Sequence, residues 1–300
     1  MMRTGDFITR HCKVLLENKQ RAIIYAVLFS ILPFASWLSV ALMSLVTLRK
    51  GARSGFDVLL PALVIHSVPL MMLLPISGAL INTAIAYFPC YFAALVLRKT
   101  ERWQFALGVF FIQALIGCLL IQQFAPEFIL AQFEQFKSVL IQYQEFVDSG
   151  MDSIGSVNLA QLFFGIQILS AIVSGTISLM FARSIQAKLF VSGGFKNELL
   201  AFRCGRLSVL VLIGASLGSY YEMPLTINIL PIVLSYFLAS GFGLAYFICA
   251  RKSQVRVFIL LFLLILLKPT FILFAYIILG AADSLFNFRA YLPERVRELI

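Results

Sequence analysis

Lys268 is the residue whose position in the sequence calls most clearly for a chemical role. It lies near the middle of the last long apolar run, and Pro269 follows it. An ammonium group at mid-membrane depth is costly and must face the interior of a bundle. A proline inside a helix also removes a backbone hydrogen bond and can open carbonyls to a cavity. We expect Lys268 either to contact a ligand or ion, or to pair or snorkel as a structural lysine.

Two further polar residues could lie at a similar depth to Lys268. His66 and Asn82 fall inside earlier apolar runs. Together these three residues are the candidate substrate-binding set. Taken singly, a polar residue inside the membrane more often forms an interhelical hydrogen bond than a ligand contact. The uncharged polar residues inside the runs are His66, Asn82, Thr83, Gln113, Gln161, Gln167, Ser170, Ser174, Thr176, Asn228 and Ser235.

The sequence lacks the residue patterns of familiar catalytic sites. It has no H-E-x-x-H, no Walker loop and no Ser-x-x-Lys, and it contains only two histidines. Asp57 and Asp283 both lie at the ends of apolar runs rather than within them. The five cysteines are far apart, which favours structural thiols over a metal or redox site. We therefore expect no enzymatic activity, no cofactor and no metal site.

The composition places the chain in a membrane. Of 300 residues, 61% are hydrophobic and 13% are charged, whereas globular chains are nearer half apolar and a quarter charged. The basic residues cluster between apolar runs, where the positive-inside rule puts them. We therefore attribute the net charge of +10 to the membrane topology of the chain. The expected partner is the lipid bilayer rather than nucleic acid.

The apolar runs predict an all-α, polytopic transmembrane helical bundle with about eight to nine hydrophobic segments. A hydrocarbon core of about 30 Å needs about 20 apolar residues per helix. The run from Ala22 to Leu48 is long for one span and short for two, so we expect two short helices that turn near Pro33 and Ser36. The other segments are Asp57 to Leu74, Ile76 to Leu97, Gln104 to Ile121, Val157 to Ala182, Leu207 to Tyr220, Leu225 to Ala250 and Val257 to Ala281.

We expect one integral membrane domain over residues 1–300, with two distinctive stretches outside the bilayer. Residues 183–206 are predicted to form a basic cytoplasmic loop. Residues 124–156 are predicted to be external, and apolar residues recur there every three or four positions from Ile129 to Val147, as in an amphipathic helix. This helix would lie on the bilayer or the bundle, or act as a lid or oligomer contact. The segment count places the C-terminal tail outside.

Two stretches of the sequence form distinctive motifs, the first from Phe190 to Leu199 and the second from Gly280 to Arg289. Both resemble the YybS-like family of uncharacterised bacterial membrane proteins. The first contains Gly193 and Gly194. That family often has an aromatic residue and an Asp where the second motif has Leu285 and Asn287. The family-motif residues of the second motif are Asp283, Phe286, Asn287 and Arg289.

The resemblance implies an architecture similar to the S component of energy-coupling-factor transporters. Such proteins bind a vitamin or a metal ion within a small helical bundle and dock on a transmembrane coupling subunit with two ATPases. Their first helix contacts that subunit through an Ala-x-x-x-Ala pair, and Ala22 and Ala26 match its spacing.

The expected function is therefore binding of an unknown small-molecule solute in the bacterial cytoplasmic (inner) membrane, with transport energised by partner subunits. The absence of a Walker loop from the sequence fits an ATPase that is a separate protein. The alternative is a non-transport membrane scaffold or assembly partner with no ligand, whose interior serves only for packing.

Overall fold

The structure is a computed structural model that describes residues 4–32, 34–72, 76–140, 156–190, 195, 198–199, 201–249 and 254–291. Within these ranges every regular element is a helix. The predicted all-α class is therefore confirmed. Pro33, the glycines Gly193 and Gly194 of the first motif, and residues 141–155 of the predicted external segment lie outside the described residues.

Thirteen helices follow one another along the described chain. They are α1 (Thr4–Glu17), α2 (Lys19–Ile31), α3 (Ser36–Lys50), α4 (Ala52–Met71), α5 (Ile76–Thr100), α6 (Trp103–Phe124), α7 (Pro126–Leu140), α8 (Ser156–Phe190), α9 (Arg206–Tyr220), α10 (Pro224–Cys249), α11 (Gln254–Leu267), α12 (Pro269–Phe286) and α13 (Phe288–Tyr291).

Six of the described helices, α4, α5, α6, α8, α10 and α12, are long and apolar enough to cross a membrane. Large apolar side chains on them, such as Ile112 and Phe274, are exposed, as expected of surfaces that contact lipid. The chain is therefore a multi-pass membrane protein. The count of eight to nine segments is not confirmed, because α3 and α9 have 15 residues each and reach only about 22 Å.

The chain forms two compact units. Residues 1–110 and 170–199 make up the first unit, and residues 111–169 and 200–300 make up the second. In the first unit, α3 packs against α2, α4 and α5. All ten residues from Ser39 to Leu48 of α3 are buried, so this short helix is enclosed on every side.

The break expected inside the first apolar run is present in the first unit. α2 ends at Ile31 and α3 begins at Ser36. The Ser39 hydroxyl donates to the Ala26 carbonyl at 2.7 Å, so the two helices lie side by side. Phe34, between them, is exposed and has a φ of 62°. The run is therefore a hairpin of two short helices rather than one long span.

The last apolar run, in the second unit, is also two helices. α11 ends at Leu267 and α12 begins at Pro269, with a non-helical backbone at Lys268. The Tyr276 hydroxyl donates to the Leu261 carbonyl at 3.2 Å, although one straight helix would hold residues this far apart in sequence about 22 Å apart. The chain therefore reverses direction at Lys268. This corrects the predicted single segment from Val257 to Ala281, because Pro269 starts a new helix instead of kinking an existing one.

Glycines allow α10 and α12 to cross closely in the second unit. A Cβ atom on Gly241 would collide with the Tyr276 carbonyl, and one on Gly280 would collide with the Phe237 carbonyl. Only glycine permits such a close approach of two backbones. The crossing fixes α12, and with it the residues at its C-terminal end, against α10.

α7 packs one side against α6 and α8 in the second unit. Its residues Ile129 and Phe133 are buried in a cluster with Cys118, Ala160 and Phe164. On the same helix, the ring of Phe136 stacks on that of Phe163, with 4.3 Å between the ring centroids. α7 therefore packs on the apolar side chains that α6 and α8 contribute to this cluster.

Candidate functional site

Lys268 lies at the turn where α11 gives way to α12, and it is exposed. It is the residue before the first turn of α12, and its side chain makes no capping hydrogen bond there. The expectation that Lys268 faces the interior from the middle of one helix is therefore wrong. A turn between two helices is a position where a lysine side chain can reach water, and the role of Lys268 in substrate binding stays a prediction.

His66 and Asn82 already have protein partners in the first unit. The Nδ1 atom of His66 lies 2.9 Å from the Ser30 carbonyl oxygen, and its ring centroid lies 5.5 Å from that of Tyr87. Asn82 is exposed, and its amide donates to the Gly78 carbonyl one turn earlier on the same helix at 2.9 Å. His66 therefore contacts α2 and α5, whereas the hydrogen bond of Asn82 lies within its own helix. Their role in substrate binding stays a prediction.

Ala22 and Ala26 are buried inside the first unit, with 1% and 0% of their surface exposed. The face of α2 that carries them lies against other helices of the same unit, since the Ser39 hydroxyl bonds the Ala26 carbonyl. Contact of these alanines with a coupling subunit stays a prediction.

The predicted basic loop 183–206 begins as helix, because α8 continues to Phe190. The Arg183 guanidinium donates two hydrogen bonds to the Glu198 carboxylate, from Nε to Oε2 at 3.0 Å and from Nη2 to Oε1 at 2.5 Å. Both side chains are largely buried, so this fork ties part of the first motif to α8 within the first unit. No pattern in the sequence indicated this ion pair.

Three amide side chains of the second unit have buried atoms without a hydrogen-bond partner in the described chain. We call them the amide site: Gln122 on α6, Gln161 on α8 and Asn228 on α10. The unpartnered atoms are Nε2 of Gln122, Oε1 of Gln161, and both Nδ2 and Oδ1 of Asn228. Leaving a buried hydrogen-bonding group unsatisfied costs about 1–3 kcal/mol.

Each of the three amides lies within about one helical turn, along its own helix, of a residue that belongs to or packs against the apolar cluster below α7. Gln122 follows Cys118 by one helical turn, Gln161 precedes Phe164 by three residues, and Asn228 follows Leu225 by three. Cys118 and Phe164 belong to the cluster, and Leu225 packs against it. α8 and α10 approach closely at this point, because a Cβ atom on Gly165 would collide with the Asn228 carbonyl.

The amide site offers uncharged donors and acceptors beside an apolar surface. An amide carries both a carbonyl acceptor and an NH₂ donor. Gln161 and Asn228 were visible in the sequence as polar residues within apolar runs, but nothing distinguished them from the other nine there. Gln122 escaped notice because it ends an apolar run next to the predicted external segment.

A second polar cluster lies near the C-terminal end of α12. Asp283 is fully buried, and the Arg289 Nε donates to its Oδ2 at 3.2 Å. The other carboxylate oxygen, Oδ1, has no partner among the described residues. Asn287 makes this pair possible, since its left-handed conformation (φ 51°, ψ 56°) ends α12 and turns the chain. Phe286, the remaining residue of the second motif, is exposed.

The segment before α9 reaches the same place from another direction. The Cys204 backbone N–H donates to the Ser240 hydroxyl at 3.4 Å, and the Arg289 guanidinium donates to the Ser240 carbonyl at 3.5 Å. The neighbouring residue Arg203 has a buried Nη1 atom with no partner in the described chain. We call Arg203, Asp283 and Arg289 the arginine site.

Burial governs the titration of the groups around the arginine site. It raises the pKa of the Cys204 thiol to about 12, so this thiol is protonated and unreactive at neutral pH. Burial also lowers the pKa of Arg289, and the carboxylate of Asp283 beside it partly restores that pKa. The charge of Arg203 acts on Arg289 in the same direction as burial, which places both guanidinium groups in one electrostatic environment.

No group of three His, Cys, Asp or Glu side chains in the described part of the chain is arranged to hold a metal ion. No family model, curated protein or solved structure matches the sequence. The resemblance to the YybS-like family therefore stays a prediction, and the case for a function rests on the amide site and the arginine site.

Proposed function

We propose that this chain is a solute-binding protein of the S-component type in the bacterial cytoplasmic (inner) membrane, energised by partner subunits. The observation that carries the proposal is the amide site, where three side chains present four buried polar atoms without a partner among the described residues. The solute would be a small, uncharged molecule that both donates and accepts hydrogen bonds. Gln122, Gln161 and Asn228 would bind its polar groups.

The physical reason is the cost of the unpartnered amides. A hydrocarbon environment supplies no water to satisfy them, and burying an unpaired amide is unfavourable in any low-dielectric interior. A bound solute would satisfy the amides and place its apolar part against Cys118, Phe164 and their neighbours. Binding sites for small molecules commonly combine a mostly apolar wall with a few convergent polar groups.

α7 has a specific place in this proposal. It belongs to the segment predicted to be an external amphipathic helix, and we propose that it covers the amide site, because Ile129 and Phe133 lie in the neighbouring apolar cluster. Its exposed residues, such as Glu134 and Gln135, face away from the cluster. Covering the site keeps water away from the hydrogen bonds between the amides and the solute.

The proposed partners are a transmembrane coupling subunit and its ATPases. Because the sequence contains no Walker loop, it cannot by itself bind ATP in the manner of a P-loop ATPase. The rival proposal is a membrane scaffold without a ligand, in which the amides would bond to a partner protein or serve only in packing.

Native mass spectrometry of gently purified protein separates these proposals. We expect the wild type to retain a small molecule and Asn228→Leu to lose it. The thermal stability of Asn228→Leu should stay equal or rise, since leucine has a similar volume and removes two unsatisfied polar atoms. Gln123→Leu is the matched control, because that amide is exposed on α6.

Two results would contradict solute binding at this site. Retention of the small molecule by Asn228→Leu would place the binding site elsewhere. A wild type without any small molecule, together with a clear loss of stability in Asn228→Leu, would favour the scaffold. Co-purified ATPase subunits would support the transport part of the proposal independently of the solute.

A further inference from the structure

We propose that the arginine site binds a phosphate-type anion, supplied either by the headgroup of an anionic phospholipid or by a free phosphate compound. This inference is independent of the amide site and of the solute proposed there. It concerns a charged cluster at the ends of helices rather than the neutral amides beneath α7.

The three side chains of the site together carry one net positive charge. Arg203 and Arg289 contribute two guanidinium groups, and Asp283 contributes the one carboxylate among the three. Asp283 is fully buried and engages Arg289, whose side chain is only 11% exposed. Arg203, whose Nη1 atom is buried, has no carboxylate partner among the described residues, and partial removal from water makes an unpaired charge expensive.

The hydrogen-bonding groups of the site point to the same ligand. Arg203 has a buried donor, Nη1, that no described residue accepts from. A guanidinium group is planar and suits the oxygens of a phosphate, which it can bind with two parallel hydrogen bonds. The unpartnered Oδ1 of Asp283 is an acceptor, so it would favour a ligand with a hydroxyl or ammonium group beside its phosphate.

Hydrogen bonds within the protein hold the two arginines of the site in place. Arg289 bonds both Asp283 and the Ser240 carbonyl. Arg203 is held by its neighbour Cys204, whose backbone N–H bonds the Ser240 hydroxyl. Ser240 of α10 therefore bonds both Arg289 and the segment that carries Arg203.

The position along the chain fits the edge of a bilayer. Arg203 precedes the first residue of α9 by three positions, and Arg289 follows the last residue of α12 by three. Residues just beyond the ends of apolar helices lie near the headgroup region, where basic side chains meet anionic lipid phosphates.

Thermal unfolding of the purified full chain, followed by its tryptophan fluorescence in a nonionic detergent, tests the proposal. One arm adds inorganic phosphate against chloride at equal ionic strength. The other adds phosphatidylglycerol against phosphatidylcholine in mixed micelles. We expect at least one of the two anions to raise the Tm of the wild type, and Arg203→Gln to bind that anion about tenfold more weakly, as expected when a charge-assisted hydrogen bond is lost.

Arg206→Gln is the matched control, because Arg206 lies three residues further along and is exposed. It should respond to the anion as the wild type does. If Arg203→Gln does not fold, Arg203→Lys replaces it, since lysine keeps the charge but loses the planar fork, and a weaker response is again expected.

The two arms distinguish the sources of the anion. Protection by inorganic phosphate indicates a soluble phosphate compound, whereas protection by phosphatidylglycerol alone indicates a lipid headgroup. The proposal is overturned if neither anion raises the Tm of the wild type. It is also overturned if Arg203→Gln and Arg206→Gln respond equally.

Discussion

Arg289 lies beside the ring of Phe247, with 5.8 Å between its guanidinium carbon and the ring centroid. Phe247 is near the C-terminal end of α10, and Arg289 follows the end of α12. Both helices therefore end on the same side of the second unit. Since α10 is followed by the basic residues Arg251, Lys252 and Arg256, the positive-inside rule predicts that the end of α12 faces the cytoplasm. Because the chain reverses at Lys268, the predicted side of the C-terminal tail changes from outside to inside.

The first prediction is that a reporter fused after the C-terminal residue lies in the cytoplasm. Alkaline phosphatase fused there should be inactive, and a fluorescent protein fused there should fluoresce. The same reporters fused after Ala125, between α6 and α7, should behave in the opposite way. An active phosphatase at the C-terminus would contradict the direction assigned to α12.

The second prediction concerns the two cationic residues that flank α12. Lys268→Met should change the free energy of unfolding by no more than about 0.5 kcal/mol, because Lys268 is exposed at a turn. Arg289→Met should cost about 3–5 kcal/mol, because it strands the buried Asp283 carboxylate. Thermal unfolding of both variants in detergent measures the difference. A large loss in Lys268→Met would mean that its ammonium group holds a structural partner after all.

The third prediction tests the crossing of α10 and α12. Gly241→Ala should destabilise the protein by about 1–3 kcal/mol, because the added methyl group has no room beside the Tyr276 carbonyl. Gly214→Ala is the control. No atom lies within 4 Å of a Cβ atom there, and alanine favours a helix over glycine by up to about 1 kcal/mol. Equal Tm values for the two variants would show that the helices do not cross at Gly241.

The fourth prediction tests the packing of α7. Phe133→Ala should cost about 3–5 kcal/mol, since a large and almost fully buried side chain is removed from the cluster. Gln135→Ala, an exposed change on the same helix, should leave the Tm unchanged. Protease resistance of α7 gives a second measurement, and it should fall in Phe133→Ala alone. If Phe133→Ala is as stable as the wild type, α7 is not docked on the cluster.

Run lengths in the sequence were enough to predict part of the fold. The run from Ala22 to Leu48 has a length that fits neither one span nor two, and the hairpin of α2 and α3 resolves that misfit. The run around Lys268 has the length of an ordinary span, so nothing in its length signalled a reversal. A Lys-Pro pair is compatible with a kink or with the start of a new helix, and the contact between Tyr276 and Leu261 decides between them.

The sites were harder to predict than the helices. The polarity of Gln161 and Asn228 was visible in the sequence, but their lack of partners depends on how α6, α8 and α10 pack. The pairing of Asp283 with Arg289 depends on the left-handed turn at Asn287. A pattern of residue types does not specify either property, because both arise from the positions of neighbouring elements.

The enclosure of α3 sets an order for the biosynthesis of this protein. Its last carbonyls are satisfied by side chains made much later, because Arg98 donates to the Thr47 carbonyl and Gln186 donates to the Leu48 carbonyl. These donors lie 51 and 138 residues further along the chain. The Thr47 carbonyl also accepts from the Gly51 backbone N–H, which is made directly after α3. The hydrogen bond to the Leu48 carbonyl can form only after translation has passed Gln186, so a chain truncated before that residue would lack it.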